Sequence, residues 1–551
     1  MALSIAPETN PIRSRLRPWK TVVVLLLVLV SNGCRLSHWA RSGFKVGPNY
    51  RRPSAAVAEN WIDSDDPRVI EQPPTCPDWW AVFQDPVLDG LVLSAYEQNL
   101  TLRQAGMRVM QARAQRRLVA GNFFPQEQAL SGRYSREQTS VLAQPKLLPS
   151  PEFQRSFDDW LLGGNLSWEL DVWGRFRRAI ESADASLDAS VKEYDAILVC
   201  LIAEVVTAYV DVRTFEQRLK YAHENVKIQE KSLQLTKALA EEGKTGMISV
   251  YLSESNLEAT KGSIRPLEIG LRQANNRLCT LLGQPTFDLS QSLGEAGIPS
   301  TPPEVAVGIP ADLLRRRPDV RAAERRVAAQ SAQVGVALAD LYPGIAVTGE
   351  ISVRAEEFQD LFKSLSTGGS IGPSFRWNVL NYGRIMSNVR VQDARVQELI
   401  ATYQNAVLLA NEEVENALVA FLQTQEQVKS LAASVHATQS ALELELLNFK
   451  EGETDFSGVF VLQGDLAVKQ DQLAAAQGKV VASLVAVYKA LGGGWQIRCP
   501  QFQARVITSA TETELENLPT PEPVLRLPDS VQPSEEVPAE PLPSGASDDA
   551  L

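Results

Sequence analysis

The sequence predicts an α+β membrane protein built as an internal tandem duplication, and three observations lead there. Two stretches, LSWELDVWGRFRRA (166–179) and FRWNVLNYGRIMSN (375–388), match at one separation of 209 residues (377 − 168 and 382 − 173), which puts Trp168 on Trp377 and Trp173-Gly174-Arg175 on Tyr382-Gly383-Arg384. After each match, apolar residues recur in steps of three and four over a length no ordinary compact domain contains, the mark of a coiled-coil helix. Before each match lie segments of about ten residues with period-two alternation, the length that crosses a bilayer as a tilted barrel strand.

From the N-terminus, the first element is an address. Arg13, Arg15, Arg17 and Lys20 precede the apolar run VVVLLLVLV (22–30) and then SNGC, ending at Cys34, the order of a bacterial secretory signal peptide. Gly33-Cys34 resembles the lipobox of bacterial lipoproteins, where the thiol is acylated and the chain cut just before it, although Ser31 stands where that pattern has Leu or Val. Cys34 is therefore the expected lipidation site. Cys76, Cys200, Cys279 and Cys499 lack CxxC spacing. Cys200 and Cys279 read as core residues, and export leaves a Cys76–Cys499 disulfide open.

The repeat continues without a gap: Glu204-Val205 falls on Glu413-Val414, Gly243 and Thr245 on Gly452 and Thr454, and Leu282-Gly283 on Leu491-Gly492. Upstream the separation is 218 (343 − 125), matching Pro125 to Pro343, and the change falls in a longer first-copy loop containing QPKLLPSP. The long helix is expected from Arg175 to about Glu242, its seam running through Tyr194, Leu198, Val205, Val212, Leu219, Ala222 and Val226, and in the second copy through Tyr403, Val407, Val414, Phe421, Val428 and Val435. Gly243 and Gly452 suit the left-handed position that ends a helix. A return helix then starts near Thr245 or Thr454 and runs to Gly283 or Gly492, so each copy holds a helical hairpin. Shorter helices are expected over 102–123 and 320–341.

Strands are expected over 160–170, 345–354 and 371–379, with a weaker one near 128–136. Four strands cannot close a barrel, since membrane barrels need about eight and an open edge leaves backbone groups unsatisfied in lipid. The barrel must be shared between chains. Each aromatic-Gly-Arg triplet, Trp173-Gly174-Arg175 and Tyr382-Gly383-Arg384, then marks a strand-to-helix junction: glycine for the turn, an aromatic ring for the interface, arginine for head groups.

With GPNYRRP (47–53), WWAVFQDPVLDGLV (79–92), LLRRRPDVRAAERRV (313–327) and the two halves, the chain resembles the TolC-like outer-membrane efflux protein family, in particular its lipoprotein branch. Read without the family, Pro318-Asp319 and Asp85-Pro86 are helix starts. The resemblance implies a homotrimer with a shared 12-stranded outer-membrane β-barrel, four strands per chain, continued by a periplasmic α-helical barrel. It also implies the outer-membrane exit channel of a tripartite, RND-type efflux pump, with a periplasmic adaptor and an inner-membrane transporter as partners docking at the hairpin tips. The alternatives are the channel of a type I protein secretion system or, in another class, a periplasmic coiled-coil scaffold. The expected order is a signal peptide (1–33), a lipidated extended segment (34–84), a first efflux repeat (85–295), a second (296–495) and a disordered Pro-rich acidic tail (508–551).

A net charge of −12 offers no basic face for nucleic acid. No Walker loop, zinc spacing or nucleophile elbow occurs, so no catalytic residue, metal or cofactor is expected. The periplasmic gate is expected at the hairpin tips EEGKTGMIS (241–249) and KEGETDFSG (450–458), with turns at Gly243, Thr245 and Gly452. Relatives carry acids a turn or two beyond the second glycine; here Gly458 and Val461 stand at those places. The gate candidates are Glu453, Thr454, Asp455, Phe456 and Val459. Two readings stay open: Asp455 caps the return helix and the constriction is apolar, or three copies of Asp455 face the pore and repel.

Overall fold

The computed structural model describes residues 39–70, 78–138 and 156–499. In chain order the main elements are α1 (Pro86–Gln98), α2 (Leu100–Gly121), β1 (Glu127–Gln138), β2 (Ser156–Leu170), α3 (Arg175–Glu241), α4 (Met247–Leu281), α5 (Pro318–Ala339), β3 (Gly344–Ala355), β4 (Thr367–Arg376), α6 (Arg384–Glu451) and α7 (Phe456–Ala490). At 1.5 Å per residue, α3 and α6 are each about 100 Å long.

The described residues form two compact units: those within Met1–Pro53, Ala112–Asp188 and Glu324–Ala401 make one, and those within Ser54–Gln111, Ala189–Ala323 and Thr402–Leu551 the other. The first holds an antiparallel sheet in the order β1-β2-β3-β4. Strand boundaries shift from the expected ones. The weak first strand runs a full twelve residues, because all of it pairs with β2, from Glu127 opposite Ser167 to Gln138 opposite Ser156. The fourth begins at Thr367 and stops at Arg376 rather than Val379, where the chain turns as the Val379 amide donates to the Trp377 carbonyl at 3.0 Å.

In the second unit the helix ends follow local chemistry. Asp85 accepts from the amides of Val87 and Leu88 at 3.0 and 3.3 Å with Pro86 at the first helical position, which starts α1. At the tip of the first hairpin the Gly243 amide donates to Ala240 and the Lys244 amide to Leu239, and at the second Gly452 donates to Phe449 and Glu453 to Asn448. Both are Schellman ends around a left-handed glycine, φ +72° and +79°. The hairpin core joins Leu442, Phe449, Phe456, Val459 and Leu466 with half-buried Leu235, Leu239 and Leu252.

The expected seam holds along α3 from Tyr194 to Val212 and along α6 from Tyr403 to Phe421. Beyond Phe215 it does not: Leu219, Ala222 and Val226 are half-buried, while the polar Asn225, Gln229, Ser232 and Thr236 are buried. The reason is side-chain pairing with α7. Asn225 donates to Gln470 at 2.8 Å, and Gln463 donates to Ser232 at 2.7 Å, so these two polar groups are satisfied on the covered flank of the helix, whereas the buried Gln229 amide makes no hydrogen bond.

Candidate functional site

Along the sheet, directly opposed residues share a face. Gly164 lies opposite Leu130 and Ile351, Leu162 opposite Gly132 and Val353, and Gly349 opposite Leu166 and Ile371. One face is therefore apolar and solvent-open, with Leu130 90% and Ile371 77% exposed. The other face carries Ser131, Asn165, Ser167, Thr348, Glu350, Ser352 and Ser370 by the same register. Near its far end Asp159 is buried between Arg133 at 3.1 Å and Arg354 at 2.6 Å. Sequence reasoning passed over this triad; its signal was charge at the polar phase of three separate strands. Among the described residues β1 and β4 are both edges with one partner each. Among the described residues no helix is long and apolar enough to cross a membrane, which leaves the strands' role untouched. No group of His, Cys, Asp and Glu there could hold a metal ion.

The matched residues of the duplication make matched joints. Within the first unit, the Trp168 indole donates to the Phe123 carbonyl at 3.2 Å and the Trp377 indole to the Leu341 carbonyl at 3.1 Å. Within the second, Asn99 donates to the Leu281 carbonyl at 2.8 Å, and Arg317, its counterpart at 218, donates to the Ala490 carbonyl at 2.9 Å. Each joint ties the start of a short helix to the last turn of a return helix, whose carbonyls need donors. Arg317 also forks onto Asp319 at 2.7 Å and reaches Glu413 at 2.7 Å, which raises its pKa against the opposing effect of burial.

The two strand-to-helix junctions share a left-handed glycine, but Tyr382 is itself left-handed, φ +49°, where Trp173 is not, and their surroundings differ. Gly174 and Gly383 have φ of +81° and +80°, and each carbonyl accepts from the amide four residues on, Arg178 and Ser387. In the first junction Asp171 accepts from the amides of Phe176 and Arg177 at 3.0 Å, capping α3. Trp173 stacks on Tyr342 and donates to the Pro343 carbonyl at 2.9 Å, so its ring is used in packing rather than standing free. Arg175 sits 3.5 Å from Glu169, so this arginine has a carboxylate beside it. The 39–53 segment crosses here: Arg178 donates to Val46, Gly47 and Asn49, and Arg177 to Gly43 and Phe44. At the second junction Leu380 replaces the capping acid and Tyr382 is 97% exposed.

At the second hairpin tip Glu453 and Asp455 are exposed and Thr454 is half-buried. Asp455 occupies the cap position of α7, yet its side chain makes no capping hydrogen bond. Phe456 and Val459 are 1% and 0% exposed, locked in the hairpin core with Phe449, and so cannot line a constriction as they stand. At the first tip Gly243 is exposed, while the Thr245 hydroxyl lies 3.0 Å from that of Ser249. Cys34, Cys76 and the tail from residue 508 lie outside the described residues.

The family model described as outer membrane efflux protein matches residues 91–284 and 309–493. Nodulation protein T of Rhizobium leguminosarum bv. trifolii is 31% identical over 460 residues, 82% of this chain and 95% of the relative. The pyoverdine export outer membrane protein OpmQ of Pseudomonas putida is 31% identical over 425 residues, 77% of this chain and 89% of the relative. A solved structure of the outer-membrane channel OprN aligns with a TM-score of 0.75 at 34% identity, covering 82% of this chain and 99% of that one.

Proposed function

This chain belongs to the outer membrane efflux protein family, and from that premise we propose that it is the passive exit duct of a tripartite, RND-type efflux pump, assembled as a homotrimer. It is a channel protein, not an enzyme. The observation that carries the reading is the four-stranded sheet with apolar and polar faces and two unpaired edges. In hydrocarbon each unpaired backbone group costs several kcal/mol, so the edges must meet those of other copies. Two copies would close a barrel of about eight strands, filled by its own side chains; three give twelve strands and leave a passage.

The long helices continue this passage on the periplasmic side, where the hairpin tips meet an adaptor and, through it, an inner-membrane transporter that supplies energy and selection. Cys34 carries the acyl anchor at the mature N-terminus, which intact-mass measurement of the mature chain reads directly. The gate is an acidic ring of Asp455, with Glu453 beside it. The support is geometric: Asp455 is exposed and has no capping bond to hold it. Close like charges repel, so closure needs cations or protons.

Single-channel recording in planar bilayers tests both levels. The protein should conduct, and Asp455→Ala should raise conductance and weaken block by divalent cations. Unchanged conductance and block with a less stable hairpin would return Asp455 to a capping role, and failure of the wild-type protein to conduct would remove the duct.

A further inference from the structure

We propose that the loop between β3 and β4, residues 356–366, is an anchor in the outer leaflet of the membrane, laying Phe358, Phe362 and Leu365 among lipid acyl chains instead of folding across the lumen. The inference rests on the barrel reading above. Strand parity carries it. Trp160 lies opposite Tyr134 on one side and Ala355 on the other, in the phase of Leu162, Gly164 and Leu166, which is the apolar outward face. The Trp160 ring contacts Tyr134 at 4.3 Å and Phe358 at 5.1 Å, and Phe358 meets Phe362 at 5.9 Å. The loop thus runs on from the outward face. At the same level the inward face holds the Asp159, Arg133 and Arg354 triad.

The loop has its own order. The amides of Asp360, Lys363 and Ser366 donate to Glu357, Asp360 and Lys363 at 3.0, 3.1 and 3.0 Å, and Leu361 is buried beneath. That order holds Phe362 and Leu365 out at 74% and 97% exposure. Acyl chains are the fitting occupant because Phe358 joins the apolar band through the Trp160 ring, while the next charges in the outward phase, Asp158 and Arg136, are paired at 3.6 Å, with Tyr134 also donating to Asp158 at 3.2 Å. From Trp168 to Trp160 β2 covers about 26 Å of strand, or about 20 Å of height at a 40° tilt, short of an apolar band about 25 Å tall. Three apolar side chains beyond Trp160 supply the difference. Lys363, paired with Asp360, sits at the same edge, where a charged head meets lipid head groups.

The test uses the wild-type protein in vesicles of phosphatidylcholine bearing a diazirine in the acyl chain, with carbene adducts mapped by peptide mass spectrometry. Adducts on Phe358, Phe362 and Leu365 at a level comparable to Leu130, Leu162 and Ile351, with Ser131 and Ser352 bare, are expected. Strand adducts without loop adducts overturn the anchor and leave the barrel, because a second copy or the channel mouth then covers the loop. Adducts on neither overturn both.

Discussion

Asn99 gives the sharpest test of the joints. Its Oδ1 accepts from the Leu102 amide at 2.9 Å, capping α2, while its Nδ2 donates to Leu281 at 2.8 Å, closing the end of α4. The residue is 7% exposed, so water does not readily replace either bond. Asn99→Ala loses the cap, about 1 kcal/mol, and orphans the buried Leu281 carbonyl, a further ~1–3 kcal/mol. Asn99→Asp separates the two. It keeps an acceptor for Leu102 but sets a carboxylate against a carbonyl oxygen at the negative end of α4. Thermal unfolding of the purified protein, followed by helical circular dichroism at one scan rate, should show both variants melting well below the wild type. If Asn99→Asp melts with the wild type, the cap alone matters and the joint to Leu281 contributes nothing.

Other consequences are as direct. A Cβ on Gly174 would lie 2.7 Å from the Lys45 Cα, whereas one on Gly383 meets nothing within 4 Å in the chain. Both substitutions to alanine bear left-handed strain of roughly 1–2 kcal/mol, but Gly174→Ala should also free the 39–53 segment to limited proteolysis, and equal digestion of the two variants would contradict the clamp. Burial, reinforced by the charges of Asp85 and Asp78, pushes the Asp89 carboxyl from 3.8 up to about 6. Between those values the folded chain keeps a proton that the unfolded chain has lost, so stability falls as pH rises through the window. Asp89→Asn should therefore melt higher than the wild type at pH 8 and lose that advantage at pH 4; a constant difference across pH would refute the assignment. Arg317→Ala should lower the melting temperature more than Arg317→Lys, which retains one donor for Ala490, and the reverse order would contradict the joint.

Much of the fold was legible because the duplication preserves residues that make backbone-directed bonds. Trp168 and Trp377 match in type because each indole closes the same joint, and Gly243 and Gly452 match because only glycine takes that φ without cost. Asn99 and Arg317 make equivalent joints from unlike side chains, so sequence matching passes over them. Helix periodicity likewise read apolar seams correctly only near Tyr194–Val212 and Tyr403–Phe421. Past these the covered flank of α3 is polar, and satisfied amides such as Asn225 carry no hydrophobic signal. The gate candidates divided for a related reason. Apolar Phe456 and Val459, one turn apart, are the pattern of a core face and pack as one, while the acids around them stay outside.

Native mass spectrometry of the detergent-extracted protein weighs whether one chain holds a third of a barrel. A single species of three chains that survives until the detergent is stripped is expected. A monodisperse monomer that still conducts in bilayers would contradict it, because four strands with two open edges could not then be what crosses the membrane.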